Sequence, residues 1–328
     1  KRQVVARKRL ACRDVAGVDA FFAELGRFQV AVEATAAYEW LLQRVERMAD
    51  RIVLVHPRKM RIIAESRRKT DKLDAQILAE FLAAGELPEA WRPTPRVREH
   101  RRLVRQRDHF RRRITGVKNR LHHVLAHYNA DVPNLFTQAG EAYLAAVPLS
   151  PADRFVAQQL QAELAHHLRQ RGEVDRQLRH FAREAPLVEQ EARRVLESVP
   201  CLGPVTVEVV LSELGDVRRF GSQNNVVQYA GLAPGVRESA GRRKNQGITK
   251  EGSRLLRWAM IELAWRLVVK TRRWGLLYES VKARTGAKKA IVAVARRILC
   301  VLTSLLKSGQ SYRWTSEPSM TRRCTTLT

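Results

Sequence analysis

Phe110, Ile114, Val117, Leu121, Val124 and Tyr128 recur at alternating steps of four and three, with Leu103 one heptad before Phe110. That spacing draws one apolar seam along a long helix and suits neither a strand nor a loop. Two forms satisfy it: a coiled-coil-like arm, with the helical stretch from 151 to about 182 as its return, or a helix buried in a bundle. The flanks of the seam are unusual. Residues 96–120 hold ten arginines and Lys118 against only Glu99 and Asp108, a local excess of nine positive charges. Like charges one turn apart destabilise a bare helix by roughly 0.2–0.5 kcal/mol per pair. With few acids in reach, this face is expected to meet phosphates, through Arg101, Arg105, Arg112 and Arg113. The whole chain leans the same way. It carries a net charge of +27 over 328 residues, so a polyanionic partner is expected, nucleic acid before an anionic membrane surface.

A hydrophobic content of 45% supplies real cores and excludes wholesale disorder. The most apolar stretches, 258–269 and 290–306, are interrupted by Glu262 and Arg266 and by Arg296 and Arg297. Neither reaches the roughly 18–20 apolar residues of a bilayer span, so no membrane partner is expected. Cys12, Cys201, Cys300 and Cys324 are too scattered for a metal site or a disulfide framework, which points to a reducing, cytoplasmic setting.

Residues 1–83 alternate between strand and helix signals. Strand-like runs at 3–10, 28–32 and 51–55 are separated by helix-like stretches at 18–25 and 38–48, and an amphipathic helix follows at 71–84. This order argues for an α/β unit with at least partly parallel pairing. Pro88, Pro93 and Pro95 mark a linker at 85–95. A mostly helical region runs from about Leu187 to near Gly309, and a polar tail ends the chain.

Three constellations carry chemistry. Glu33 ends an apolar run, at the strand edge where open α/β sheets place ligands. Asp71 and Asp74 are three apart at a helix start and therefore share a face. With Glu33 they form a hard-oxygen set suited to Mg²⁺; equally, Asp71 caps the helix and Asp74 loads its first turn. Residues 199–206, containing Gly203 and Pro204, read as a tight turn that exposes backbone N–H groups at a helix start, or as a plain connection. Ser239 lies in a Gly-rich loop beside Arg242, Arg243 and Lys244, with Lys250 beyond. It reads as a nucleophile toward phosphate or as a turn residue.

In this order the blocks resemble the DEDD-type insertion-sequence transposases, serine-dependent recombinases related to the pilin-gene inversion recombinases. The resemblance covers about residues 1–309. Its motifs are Glu33-Ala34-Thr35-Ala36-Ala37-Tyr38, Ser66-Arg67-Arg68-Lys69-Thr70-Asp71-Lys72-Leu73-Asp74-Ala75, then 199–206 with Leu214-Gly215-Asp216, 229–234 and 239–252.

The resemblance implies an α/β ribonuclease-H-like (RuvC-like) domain over residues 1–95, an Arg-rich coiled-coil helical arm over 96–184, and a mostly α C-terminal transposase domain over 185–309. The last contains a helix-hairpin-helix-like element, and 310–328 form a tail. Glu33, Asp71 and Asp74 would be the second, third and fourth acidic residues and bind Mg²⁺. Ser239 would be the nucleophile that links covalently to DNA. Gly203, Arg242, Arg243, Lys244 and Lys250 would add nucleic-acid contacts. The implied partners are DNA at the element ends and target, a guide RNA, and further copies of the chain in a dimer or tetramer at the bacterial nucleoid.

The family's first Asp, in a Gly-Ile-Asp-like motif, has no counterpart here. Residues 1–10 resemble the third strand, so the chain is expected to lack the first two. The expected activity is Mg²⁺-dependent strand cleavage and exchange of an insertion sequence. The alternatives are a catalytically inactive nucleic-acid-binding remnant and a metal-dependent nuclease like the Holliday-junction resolvases.

Overall fold

The computed structural model describes residues 3–35, 38–57, 59–60, 71–239 and 242–313; side chains at 71–74 and 236–246 lie outside that description. The chain divides into two compact units, Lys1–Pro93 and Thr94–Thr328.

In the first unit, α1 (Val15–Ala23) opens on Asp14, whose carboxylate accepts from the Gly17 N–H at 2.9 Å. It is followed by β1 (Phe28–Glu33), α2 (Tyr38–Val45), β2 (Ala49–Val55) and α3 (Asp71–Ala84). β1 and β2 pair in parallel, from Gln29 opposite Arg51 to Glu33 opposite Val55. Ile77, Leu78, Phe81 and Leu82 form one stripe of α3 and pack with Val53, Val55 and Ala31, so the helix covers the sheet. Arg92 then closes the following segment onto α2 through Glu39 at 2.7 Å and Glu46 at 2.9 Å.

Residues 3–10 do not form the expected strand. They run irregularly outside the sheet, with Val4 54% and Val5 94% exposed. Strand propensity is realised only where a face is buried or an edge is paired, and this run, which carries Arg7-Lys8-Arg9, finds neither among the described residues.

The second unit opens with α4 (Pro95–Ala126), capped by the Thr94 hydroxyl and led by proline at its first position. α5 (Gln138–Ala146) and α6 (Pro151–Arg183) follow. α4 and α6 are antiparallel: Arg107 pairs with Asp175 at 2.6 Å, Arg120 with Glu163 at 3.5 Å, and the Tyr128 hydroxyl donates to Asp153 at 2.5 Å. Each helix is about 48 Å long at 1.5 Å per residue.

Both forms allowed by the seam occur in succession. Near the base, Val104 and Leu178 join the main core of the unit. Toward the tip, Val117, Leu121, Leu125 and Leu160 close around Leu135 and Leu144 in a separate small core. The hairpin thus carries its own apolar support away from the body.

α7 (Leu187–Glu197), α8 (Pro204–Leu214) and α9 (Gln223–Tyr229) lead to an antiparallel hairpin, β3 (Pro234–Ser239) and β4 (Arg242–Ile248). α10 (Arg254–Lys270), α11 (Arg272–Thr285) and α12 (Ala287–Ser308) complete the unit. Met260 and Leu263 of α10 pack with Val294 and Ile298 of α12 at its centre. No described helix is long and apolar enough to cross a membrane.

Charge is buried where the arm meets the body. Arg96 of α4 bonds Glu189 of α7 at 2.5 Å; Glu189 bonds Arg193 at 2.7 Å; Arg193 pairs with Glu208 of α8; and Glu208 meets His100 of α4 at 2.5 Å. Burial pushes the Glu189 carboxyl up, but hydrogen bonds from Arg96 and Arg193 outweigh it and hold the group below the usual carboxylate range. A depressed folded-state pKa contributes stability above the unfolded value that is lost as pH falls through the folded value. Glu189→Gln is therefore expected to cost about 1–3 kcal/mol at pH 7. Urea unfolding should show that difference beginning to shrink as pH drops below about 4.3, where the unfolded carboxyl takes up a proton while the native one stays charged, and lost once pH falls through the lower folded value.

Candidate active site and nucleic-acid face

Glu33 is the last residue of β1, half-buried and opposite Val55. The neighbouring backbone is fixed, since Ala34 donates to the Val55 carbonyl at 2.9 Å. Other acids of the unit are paired with arginine: Asp19 with Arg44, Asp50 with Arg27, Glu89 with Arg51. Glu33 has no cationic partner among the described residues. A half-buried carboxylate with no cation partner among the described residues, at the C-terminal end of a parallel strand, suits a hard divalent ion.

Asp71 and Asp74 occupy the first turn of α3, where a spacing of three puts them on one face. Their side chains lie outside the described residues. Among the described residues, which omit these two side chains, no group of three or more His, Cys, Asp or Glu is placed to hold a metal. In donor chemistry, three carboxylates fit Mg²⁺.

Ser239 ends β3, its Cα paired with that of Arg242 at the start of β4. The two strands are joined through residues 240–241, which lie outside the described residues, as do the side chains of Ser239, Arg242, Arg243 and Lys244. The sequence reading as a Gly-rich loop is thereby corrected: most of this segment is a two-stranded ribbon. A two-residue connection containing Gly241 is the signal that would have found it. Ser253, the other serine of the region, is a helix cap, its hydroxyl accepting from the Leu256 N–H at 3.1 Å.

Two glycines fix the base of the ribbon. Gly252 has φ +123° and Gly231 φ +65°. A Cβ on Gly252 would overlap the Tyr229 carbonyl oxygen, and one on Gly231 would meet the backbone of Lys250 and Glu251. Lys250 is exposed and left-handed, at φ +55°, and its N–H donates to the Gly231 carbonyl at 3.2 Å. Close by, burial pulls the Arg257 guanidinium below its ordinary pKa, and the charge of Arg254 adds to the effect. The ribbon base is thus a crowded cationic site.

On α4, most guanidinium groups are answered from within the chain. Arg101 donates to the carbonyls of Ser212 and Glu213, at 2.7 and 2.8 Å, and to the Tyr229 hydroxyl at 3.1 Å. Arg105 pairs at 2.9 Å with Glu213, only 1% exposed, and Arg112 with Asp108 at 3.0 Å. The expectation that the charge run has few acids in reach is corrected: besides Asp108 on α4 itself, its carboxylates come from α6, α7 and α8, too far along the chain for a spacing rule to see. Arg102 and Arg113 are exposed without a carboxylate partner among the described residues.

Gly203 is the N-cap of α8, with open space where a Cβ would stand and no side-chain cap. Two residues earlier, Cys201 sits at φ +62°, a conformation that costs a non-glycine residue about 1–2 kcal/mol. Cys201→Gly is expected to raise stability by about 0.5–1 kcal/mol after the added unfolded-state entropy is offset, read as a higher urea midpoint with an unchanged slope.

Comparison with known proteins adds the lineage. A DEDD transposase profile of the IS110 group matches residues 3–130, and one described as transposase IS116/IS110/IS902 family matches residues 193–279. The transposase for insertion sequence element IS1111A of Coxiella burnetii is 25% identical over 269 residues, covering 79% of this chain and 72% of that protein. A putative transposase, y4rJ, of Sinorhizobium fredii is 28% identical, over 92% of this chain and 85% of its own. The pilin gene-inverting protein of Moraxella lacunata is 24% identical, over 86% and 80%. The matched ranges contain Glu33, Asp71, Asp74, Gly203 and Ser239.

Proposed function

Since this chain belongs to the IS110/IS116/IS902 family of DEDD transposases, we propose that it cuts and rejoins the DNA ends of an insertion sequence through an acidic cluster and a serine. Transposase or recombinase activity is the family's reaction; the chemistry by residue is our reading. The observation that carries it is Glu33, half-buried at its strand end with no cation partner among the described residues.

In this reading Glu33, Asp71 and Asp74 hold Mg²⁺, which supplies charge stabilisation at a phosphate in flight. The Ser239 hydroxyl attacks the scissile phosphorus and loses its proton. A phosphoserine ester forms, and the sugar oxygen leaves as a hydroxyl. Attack on that ester by a sugar hydroxyl of another strand restores a phosphodiester and frees the serine, conserving the bond energy of the backbone. Arg242, Arg243 and Lys244, on the strand that follows the serine, would add positive charge that favours the added negative charge, and Lys250, at the base of the ribbon, would contact nucleic-acid backbone farther from the serine. The outward arginines of α4, Arg112 and Arg113, together with the open turn at Gly203, track nucleic-acid backbone. Guide RNA, assembly into a dimer or tetramer, and work at the nucleoid belong to the same proposal.

The test is strand exchange on a supercoiled plasmid carrying paired element ends, with denaturing gels to detect protein–DNA adducts. Ser239→Ala is expected to abolish adduct and exchange. Glu33→Gln is expected to lower both at least a hundredfold, in line with the loss of a transition-state charge stabiliser, and added Mg²⁺ should stimulate only the native protein. Cleavage that survives Ser239→Ala would replace the serine step with hydrolysis by the acidic cluster alone.

A further inference from the structure

At the base of the arm, α4, α6, α7, α8 and α10 line a half-open cleft of about 490 Å³, within the usual size range of ligand sites. Val104, Leu178, Val209 and Leu255 make much of its wall apolar. Trp258 forms one side, and Arg111 lies over its ring with Cζ 4.4 Å from the centroid. Arg193 lines the cavity from a position only 8% exposed. Its terminal nitrogens serve Glu189 and Glu208, while its buried Nε has no hydrogen-bond partner.

The first turn of α8 opens onto the same space through Pro204 and Val205, with no side-chain cap at Gly203. Arg179 and Arg183 line the outer part, both exposed and without a carboxylate partner among the described residues. Glu197 stands exposed beside them.

We propose that this cavity binds one unstacked nucleotide of a single-stranded nucleic acid. The base lies on the Arg111–Trp258 stack and the apolar wall, and the phosphate lies between the first turn of α8 and Arg179 and Arg183. A partly apolar slot backed by a guanidinium plane, whose carboxylates Asp108, Asp175 and Glu208 are each paired with an arginine, is what an extruded base requires. The positive end of the α8 dipole with the Val205 N–H, beside two exposed arginines that have no carboxylate partner among the described residues, is what its phosphate requires. A duplex cannot enter a pocket of this size, so the nucleotide must leave its stack. The inference rests on the nucleic-acid reading above and deepens it.

The test uses fluorescence anisotropy of the full chain with short single strands, ribose or deoxyribose, each with its bases or fully abasic. Abasic strands are expected to bind about tenfold more weakly. Leu255→Trp, which fills the slot, is expected to erase that difference. Arg179→Gln with Arg183→Gln, both on exposed positions, should weaken base-bearing and abasic strands alike by about tenfold and flatten the salt dependence. A ribose preference assigns the nucleotide to RNA, and a deoxyribose preference to DNA. Equal binding of abasic and base-bearing strands by the native chain overturns the proposal, and that comparison stands even if Leu255→Trp fails to fold. If duplex DNA still binds in that case, the recombinase reading survives; if no nucleic acid binds, both fall.

Discussion

The alternation of guanidinium and carboxylate from Arg96 through Glu189, Arg193 and Glu208 to His100 is the constraint on which the second unit turns. A single charge left unpaired at that depth would cost several kcal/mol, so α4, α7 and α8 have to keep one mutual arrangement. Fixing α4 sets the direction of the arm. Fixing α8 sets where its bare N-terminus points. The far end of α8 is held as well, because Arg101 takes its last carbonyls and Arg105 its buried Glu213. One short helix is thus held at its middle by His100 of α4 and Arg193 of α7 and at its far end by two arginines of α4.

This arrangement divides the positive charge of the chain into two populations. Arg96, Arg101, Arg107 and Arg193 are structural, each answered by an acid or a carbonyl within the unit. Arg102, Arg113, Arg179 and Arg183 face outward without such an answer among the described residues. The net charge of +27 is therefore no measure of how many cations meet a partner. What counts is which side of each helix an arginine occupies.

Local periodicity carried the legible part of the fold. The seam at 103–128 and its return were readable because a heptad spacing survives whatever the helix packs against, and α3 emerged with the bounds its amphipathic pattern suggested. The position of Glu33 at a strand end was legible from its place after an apolar run. Residues 3–10 misled, because β-prone residues say nothing about whether a neighbouring strand is there to receive them. The ribbon holding Ser239 was hidden by its glycines and charges, which read as loop until Gly231 and Gly252 are seen to press its base onto the end of α9. The cavity beside Trp258 had no sequence signature. Its walls come from five helices spread over more than a hundred residues, and only packing brings them together.

α4 runs unbroken for 32 residues from the charged base to the tip of the hairpin, and the small core around Leu121 and Leu144 stiffens its outer half. A rod of about 48 Å pivoting by about 5° at its foot carries its far end through about 4 Å. The tight charge pairing around Glu189 at the foot therefore decides how closely the distal end of the hairpin is held in place.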